Sequence, residues 1–206
     1  MNLAELAAEV TTRVGAATDD QMLTTSVIRG FVRSGLRHVE ADLDSPDWLR
    51  TRETISTVAG LDSYEVPADW AKTLSLRVAE YDWHLEYVGF EALDADYGTQ
   101  QVDGTGRPAA WTQEGGFLIV RPVPAGVFNL EHRYLRTETD LLADADVPLL
   151  PARFHDAIVE KAAGMALRRI GEYDRAGAHE ADYQGWLGKI VDELNRVTKA
   201  PRIRTR

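Results

Sequence analysis

At 206 residues, 44% apolar and 27% charged, the chain can bury one large domain or a core with one subdomain. It has no cysteine, which excludes disulfide staples, thiol nucleophiles and cysteine-rich zinc sites. A net charge of −10 and a pI near 5.0 argue against a main surface that grips nucleic acid.

The elements follow in chain order. Leu3, Leu6, Ala7, Val10 and Val14 recur at helical spacing, so residues 2–14 predict a short amphipathic helix that Gly15 ends. Thr18 and Gln21 have capping-box spacing ahead of a longer helix. In that helix Leu23, Val27, Phe31, Gly35, Val39 and Leu43 form one i+4 row, with Ile28, Val32 and Leu36 beside it. Its length is roughly 31 Å at ~1.5 Å per residue. Gly30 and Gly35 each cost it about 1 kcal/mol relative to alanine, and close approach of another backbone would explain them. Ser45-Pro46 ends this helix and starts a single turn through Trp48, with Ser45 as N-cap.

From Thr51 to Arg136 the period becomes two. Strand-like runs cover Thr51–Val58, Ser63–Val66, Thr73–Val78, Trp83–Val88, Ala109–Gln113, Phe117–Arg121 and Val127–Tyr134. Glu114-Gly115-Gly116 reads as a hairpin turn, and Leu93–Gly106 as a long loop. Helix returns after Pro151, with Phe154, Ile158, Val159, Ala162, Met165, Ala166 and Ile170 on one face and Gly171 closing it. A last helix carries Tyr183, Trp186, Leu187, Ile190, Val191, Leu194 and Val197, and Pro201 prevents its extension. The prediction is an α+β protein. About four helices from both chain ends (1–50 and 151–198) make a bundle, an antiparallel β-sandwich or partly open barrel is inserted over 51–150, and a basic arm covers 199–206.

Gly104-Thr105-Gly106 lacks the following helix of a phosphate loop. His38, His84, His132, His155 and His179 are scattered; none has Glu three residues earlier, as a di-iron bundle needs, and they read as surface or packing residues. Asp42, Asp44 and Asp47, and again Asp140, Asp144 and Asp146, lack the ligand spacing, central glycine and closing glutamate of a calcium loop. They read as helix ends and solvated loops. Ser34 lies inside a helix rather than on a nucleophile elbow. Trp48, Trp70, Trp83, Trp111 and Trp186 read as core anchors, one or two of them at a subunit contact. These motifs predict no catalytic residue, no metal and no cofactor. Met1-Asn2-Leu3-Ala4-Glu5 lacks the basic start and apolar run of a signal peptide, and no apolar stretch approaches the ~18 residues of a membrane helix.

The last eleven residues stand apart. They carry Arg196, Lys199, Arg202, Arg204 and Arg206, with Ile203 among them, and no anion; with a net charge of −10, the other 195 residues therefore hold −15. Fully extended, such an arm reaches ~36 Å. Docking on a protein partner, plain disorder and contact with nucleic acid are its three readings.

The order of pieces from Leu23 to Trp186 resembles the head-to-tail adaptor (connector) family of tailed bacteriophages. The resemblance is carried by the long helix into Trp48-Leu49-Arg50, then Ala59-Gly60 and Tyr64-Glu65-Val66-Pro67-Ala68-Asp69-Trp70. It continues through Gly106-Arg107-Pro108 before Trp111, Arg121-Pro122-Val123-Pro124, and Tyr134. Asp146-Val147-Pro148-Leu149-Leu150-Pro151, then His155, Ala162 and Ala163, and Glu172-Tyr173-Asp174-Arg175-Ala176 complete it. The resemblance implies a non-enzymatic virion neck protein made in the host cytoplasm, forming a ring, usually of twelve copies, under the portal. Bundles would pack side by side around a channel through which DNA passes unread. The arm (Arg196, Lys199, Arg202, Ile203, Arg204, Arg206) would reach the portal protein, and the β insertion would face outward or toward a tail-side neck, nozzle or stopper protein. Two alternatives remain open. One is another neck or tail component, such as a stopper or completion protein. The other is a small-molecule or carbohydrate enzyme or binder that uses Trp83 or Trp111 in the β region.

Overall fold

A computed structural model describes residues 1–15, 22–44, 46–81, 83–97, 104–138 and 140–198. The chain divides into two compact units, Met1–Leu49 with Glu138–Arg206, and Arg50–Thr137. The fold is α+β, with four helices from the two chain ends in the first unit and open sheets in the second.

In the first unit, α1 (Leu3–Val14) starts at a capping box: Asn2 accepts from the Glu5 backbone N–H while the Glu5 carboxylate accepts from that of Asn2. Gly15, at φ 69°, ends it in the left-handed region. The Thr18–Gln21 box expected for the next helix lies outside the described residues. Its N-cap position is Thr24, and α2 spans Thr25–Asp42. After a 3₁₀ turn at Ala152–Phe154, α4 (His155–Arg169) and α5 (Tyr173–Thr198) complete the bundle.

The centre of this unit is α4. Its Ala157, Ile158, Val159, Ala162, Ala163, Ala166 and Leu167 are all buried, so it is covered on nearly every side by α1, α2 and α5. Small residues let the neighbours come close. A Cβ on Gly35 would sit 2.9 Å from the Ile158 carbonyl oxygen, which is the backbone approach anticipated for a glycine of α2. Gly30 has nothing within 4 Å of that position, so close packing does not explain it.

The second unit holds the strands β1 (Arg50–Ser56), β2 (Ser63–Glu65), β3 (Trp70–Val78), β4 (Trp83–His84), β5 (Glu86–Tyr87), β6 (Thr105–Gly106), β7 (Ala110–Glu114), β8 (Phe117–Arg121), β9 (Val123–Pro124) and β10 (Asn129–Arg136). One sheet runs β1-β10-β3-β4, a second β2-β8-β7-β5, and a two-stranded one β6-β9. The Glu114–Phe117 pairing confirms the hairpin at Gly115-Gly116. Tyr64, Leu76, Val78, Leu85, Trp111, Leu118, Val120 and Leu130 form its core.

Three expectations need correction. The sheets are not purely antiparallel, because β5–β7 and β6–β9 pair in parallel. The run Trp83–Val88 is two dipeptide strands in different sheets; Leu85 turns inward between them, its N–H donating to the Leu76 carbonyl at 2.9 Å. Leu93–Gly106 is not all loop, since α3 (Phe90–Tyr97) occupies its first part. Leu93 is its single buried anchor among the described side chains, too few apolar positions to reveal a helical period.

Candidate functional site

The arm begins at the end of α5. This helix has 26 residues, about 39 Å at 1.5 Å per residue. Arg196 is exposed in its last turn, where a cation suits the helix dipole. Lys199, Arg202, Ile203, Arg204 and Arg206 lie outside the described residues.

Near that end of α5 an apolar notch of about 220 Å³ opens beside Ile190 and Leu194, with Trp48, Pro151 and Phe154 as its walls. Trp48 and Phe154 meet at 6.3 Å between ring centroids. Arg153 pairs with Glu193 at the rim and lies 4.7 Å over the Phe154 ring. Lys189 sits 3.9 Å over Trp186 on the same helix. Charged groups screening partly buried aromatics is a composition that suits protein contact.

Elsewhere in the bundle, charge is internally matched. Glu160, 5% exposed, accepts from Arg13 and lies 2.5 Å from His179 Nδ1, tying α4 to α1 and α5. Arg13 also reaches Asp156 and Glu9. Lys161 and Arg168 share Glu180. Tyr183, fully buried, donates to Asp42 at 2.6 Å, and burial followed by that carboxylate pushes the phenol pKa well up.

The acidic loop 140–146 is held by a row that sequence reasoning overlooked. Arg29, Arg33 and Arg37, four apart on α2, meet Asp144, the Leu141 and Leu142 carbonyls, and Asp140. Their i+4 spacing was the available signal. Asp146 caps the loop by accepting from the Leu142 and Ala143 N–H groups. No set of three or more His, Asp and Glu side chains with metal-ligand geometry occurs among the described residues.

His155 is buried: its Nε2 is 2.8 Å from the Leu150 carbonyl and its Nδ1 2.8 Å from the Met1 amino group. It is a packing residue, as expected of the histidines. Burial holds its pKa below the ordinary value.

The β unit contains the arrangement closest to reaction chemistry. Glu53 Oε1 lies 2.9 Å from His132 Nδ1, and His132 Nε2 lies 2.9 Å from Thr73 Oγ1. Burial, outweighing Glu53, lowers the His132 pKa. A neutral ring that donates from Nδ1 to Glu53 accepts the Thr73 hydroxyl proton at Nε2, so the three groups stand in orienter, base and hydroxyl order. Thr73 is half-buried at a groove of about 680 Å³ that Tyr87 and Trp111 also line. The Trp70 indole N–H, however, donates to the same hydroxyl oxygen at 3.1 Å, and the Gln113 amide oxygen is 3.3 Å away. The hydroxyl oxygen is thus engaged as donor and acceptor. The relay links β1, β10, β3 and β7 and closes its own hydrogen bonds, which is what a buried polar network needs to be stabilising.

The tryptophans are less buried than their sequence suggests. Trp111 is in the core, packed edge-on to Tyr87 at 4.9 Å, while Trp48, Trp70 and Trp186 are half-buried and Trp83 is exposed. Trp83 and Tyr81 flank the Arg107 guanidinium, at 4.5 and 5.7 Å from their ring centroids. Trp83 does not line the large groove. Beyond it, Gly104–Gly106 leads into β6 and its β9 pairing rather than into a helix.

On the outer face of the first sheet, an open concavity of about 600 Å³ is lined by Arg50, Thr51, Arg52, Leu74, Ser75 and Arg133. Glu131 lies beside it. Hydrogen bonds from Arg77 and then Arg133 bring its carboxyl down to about 2.

The molecule combines a helical unit with a matched charge network, a β unit with exposed aromatics and arginines, and an acidic total. The chain belongs to the SU10 adaptor protein family, whose model matches residues 1–206. It is therefore a structural adaptor of the bacteriophage type. A search of the curated proteins found no match. No helix among the described residues is long and apolar enough to cross a membrane.

Proposed function

We propose that this adaptor forms a ring of twelve copies beneath the portal of the virion, joining capsid to tail and continuing the DNA channel. It is made in the host cytoplasm and works without cofactor or turnover. The observation that carries this reading is the family match along all 206 residues. The helical units pack around the channel, and a tail-side neck, nozzle or stopper protein meets the other end. Residues 1–195 carry −15, a charge that disfavours gripping duplex phosphates and so suits a conduit.

In this reading the arm (Arg196, Lys199, Arg202, Ile203, Arg204, Arg206) docks on the portal protein. Its cations pair with portal carboxylates, and such pairs matter most when partly desolvated. Support comes from the exposed Arg196 at the end of α5 and from the absence of any anion in the last eleven residues. Deleting residues 198–206 weakens capture by purified portal rings and leaves the circular dichroism spectrum unchanged. Undiminished capture by the truncated chain refutes the arm assignment. Absence of capture by the full chain refutes the adaptor reading.

A further inference from the structure

The β unit carries an arginine face and, elsewhere on its surface, a strip of acidic and aromatic residues. At the β1 edge, Arg52 and Arg133 are direct cross-strand partners, a like-charge pairing that costs stability unless something else neutralises it. Arg133 is partly satisfied by Glu131, at 2.7 Å. Arg52 is exposed and has no ion pair or hydrogen bond of its side chain among the described residues. With Arg50 these arginines surround the open concavity that has Leu74 in its wall.

The stretch that runs from β4 through β5 of the second sheet into α3 is the reverse in chemistry. From Glu80 to Asp94 the chain has Glu80, Asp82, Glu86, Glu91 and Asp94 and no lysine or arginine. Glu86, Glu91 and Asp94 are exposed, and their carboxylates have no hydrogen-bond or ion-pair partner among the described residues. The same stretch exposes Tyr81 (62%), Trp83 (43%), Tyr87 (62%) and Phe90 (46%). Exposed aromatics concentrated in ten residues, in a chain whose other apolar groups are mostly buried, mark a contact surface. Arg107 of the same copy already lies over Trp83 and Tyr81, so a partner's guanidinium would meet the exposed Tyr87 and Phe90 and the carboxylates.

In the first sheet, order β1-β10-β3-β4, Arg52 is on one edge strand and Trp83 on the other; Glu86 follows on β5 of the second sheet, and Glu91 and Asp94 on α3. We infer that the arginine face at the β1 edge of one copy docks on the acidic–aromatic strip, residues 80–94, of the next copy. The occupant is a second copy because the complement to each surface lies on the same unit of the same chain. A contact between two different patches of identical chains is heterologous, and its repetition closes a ring or runs on as a filament. The inference rests on the adaptor reading for the ring, but it names side chains that reading does not supply.

The test uses the polarity of the contact. Arg52→Glu/Arg133→Glu makes both surfaces acidic, and Glu86→Lys/Glu91→Lys replaces the acidic side chains of the strip with basic ones. Sedimentation velocity at low salt is run on wild type, each variant, and their equimolar mixture. Each variant alone associates at least about tenfold more weakly than wild type, in line with measured couplings for close charge pairs across interfaces. The mixture recovers association, because each variant then meets its complement. Where a reversed chain fails to fold by circular dichroism, Arg52→Gln replaces it, and a smaller loss is expected. No association of wild type or of the mixture, or equal association of all four samples, overturns the inference. So does retention of duplex DNA by the arginine face without self-association. Portal capture of wild type, measured in parallel, separates the readings: intact capture with no copy-to-copy contact removes this interface and leaves the adaptor standing.

Discussion

Replacing each of two glycines of α2 with alanine isolates the packing of the bundle from helix propensity. Both lie inside the same helix, and each substitution gains up to about 1 kcal/mol of propensity. At Gly30 nothing lies within 4 Å of the new methyl, so Gly30→Ala stabilises by that amount. At Gly35 the methyl meets the Ile158 carbonyl oxygen at 2.9 Å and the Ala162 nitrogen at 3.4 Å. Both are backbone atoms of α4 and cannot rotate away. The helices must separate by about half an ångström, and overpacking of this kind costs about 1–3 kcal/mol. Gly35→Ala is therefore between neutral and about 2 kcal/mol destabilised, and the two variants differ by about 1–3 kcal/mol. Urea titrations followed by circular dichroism measure the difference. If Gly35→Ala is as stable as Gly30→Ala, the close α2–α4 approach is wrong.

Three other outcomes are expected. His132 and His155 are both held below their ordinary value of 6.5, chiefly by burial. Below pH 6.5 the unfolded chain takes protons that the folded chain refuses, so stability falls with a slope of up to about 1.4 kcal/mol per pH unit for each. Glu131, at about 2, adds a further loss as pH drops from 4.5 toward 2. A urea midpoint that is flat between pH 7.5 and 5.5 contradicts the histidine burial. Thr73→Val leaves the Trp70 N–H without its acceptor and the His132 Nε2 without its donor. It costs about 1–3 kcal/mol, visible as a lower melting temperature; an unchanged melt shows the relay contributes nothing. Arg33→Ala frees the Leu141 and Leu142 carbonyls, so limited proteolysis cuts near 140–146 faster than in wild type. An unaltered digestion rate argues that the arginine row does not hold that loop.

The four bundle helices and the longer strands, the turns at Gly15, Gly115-Gly116 and Gly171, and the apolar rows of α1, α2 and α4 follow from residue spacing alone. Each is a local matter of periodicity and backbone conformation. The acidic body and the unbroken run of cations in the last eleven residues are likewise properties of the string of residues. What spacing cannot convey is which distant groups meet. The pairing of Arg52 with Arg133, the Glu53–His132–Thr73 relay, the three-arginine clamp on 140–146 and the approach of Gly35 to Ile158 each join residues far apart in sequence. Exposure of Trp83 beside burial of Trp111 is decided in the same way, since Trp83 falls on the edge strand β4 and Trp111 on the inner strand β7 once the sheets form. Residue types set the local elements because those depend on neighbours within a turn or two. The arginine face of the first sheet and the polar relay were decided only by tertiary packing, because they are made of side chains brought together from different strands.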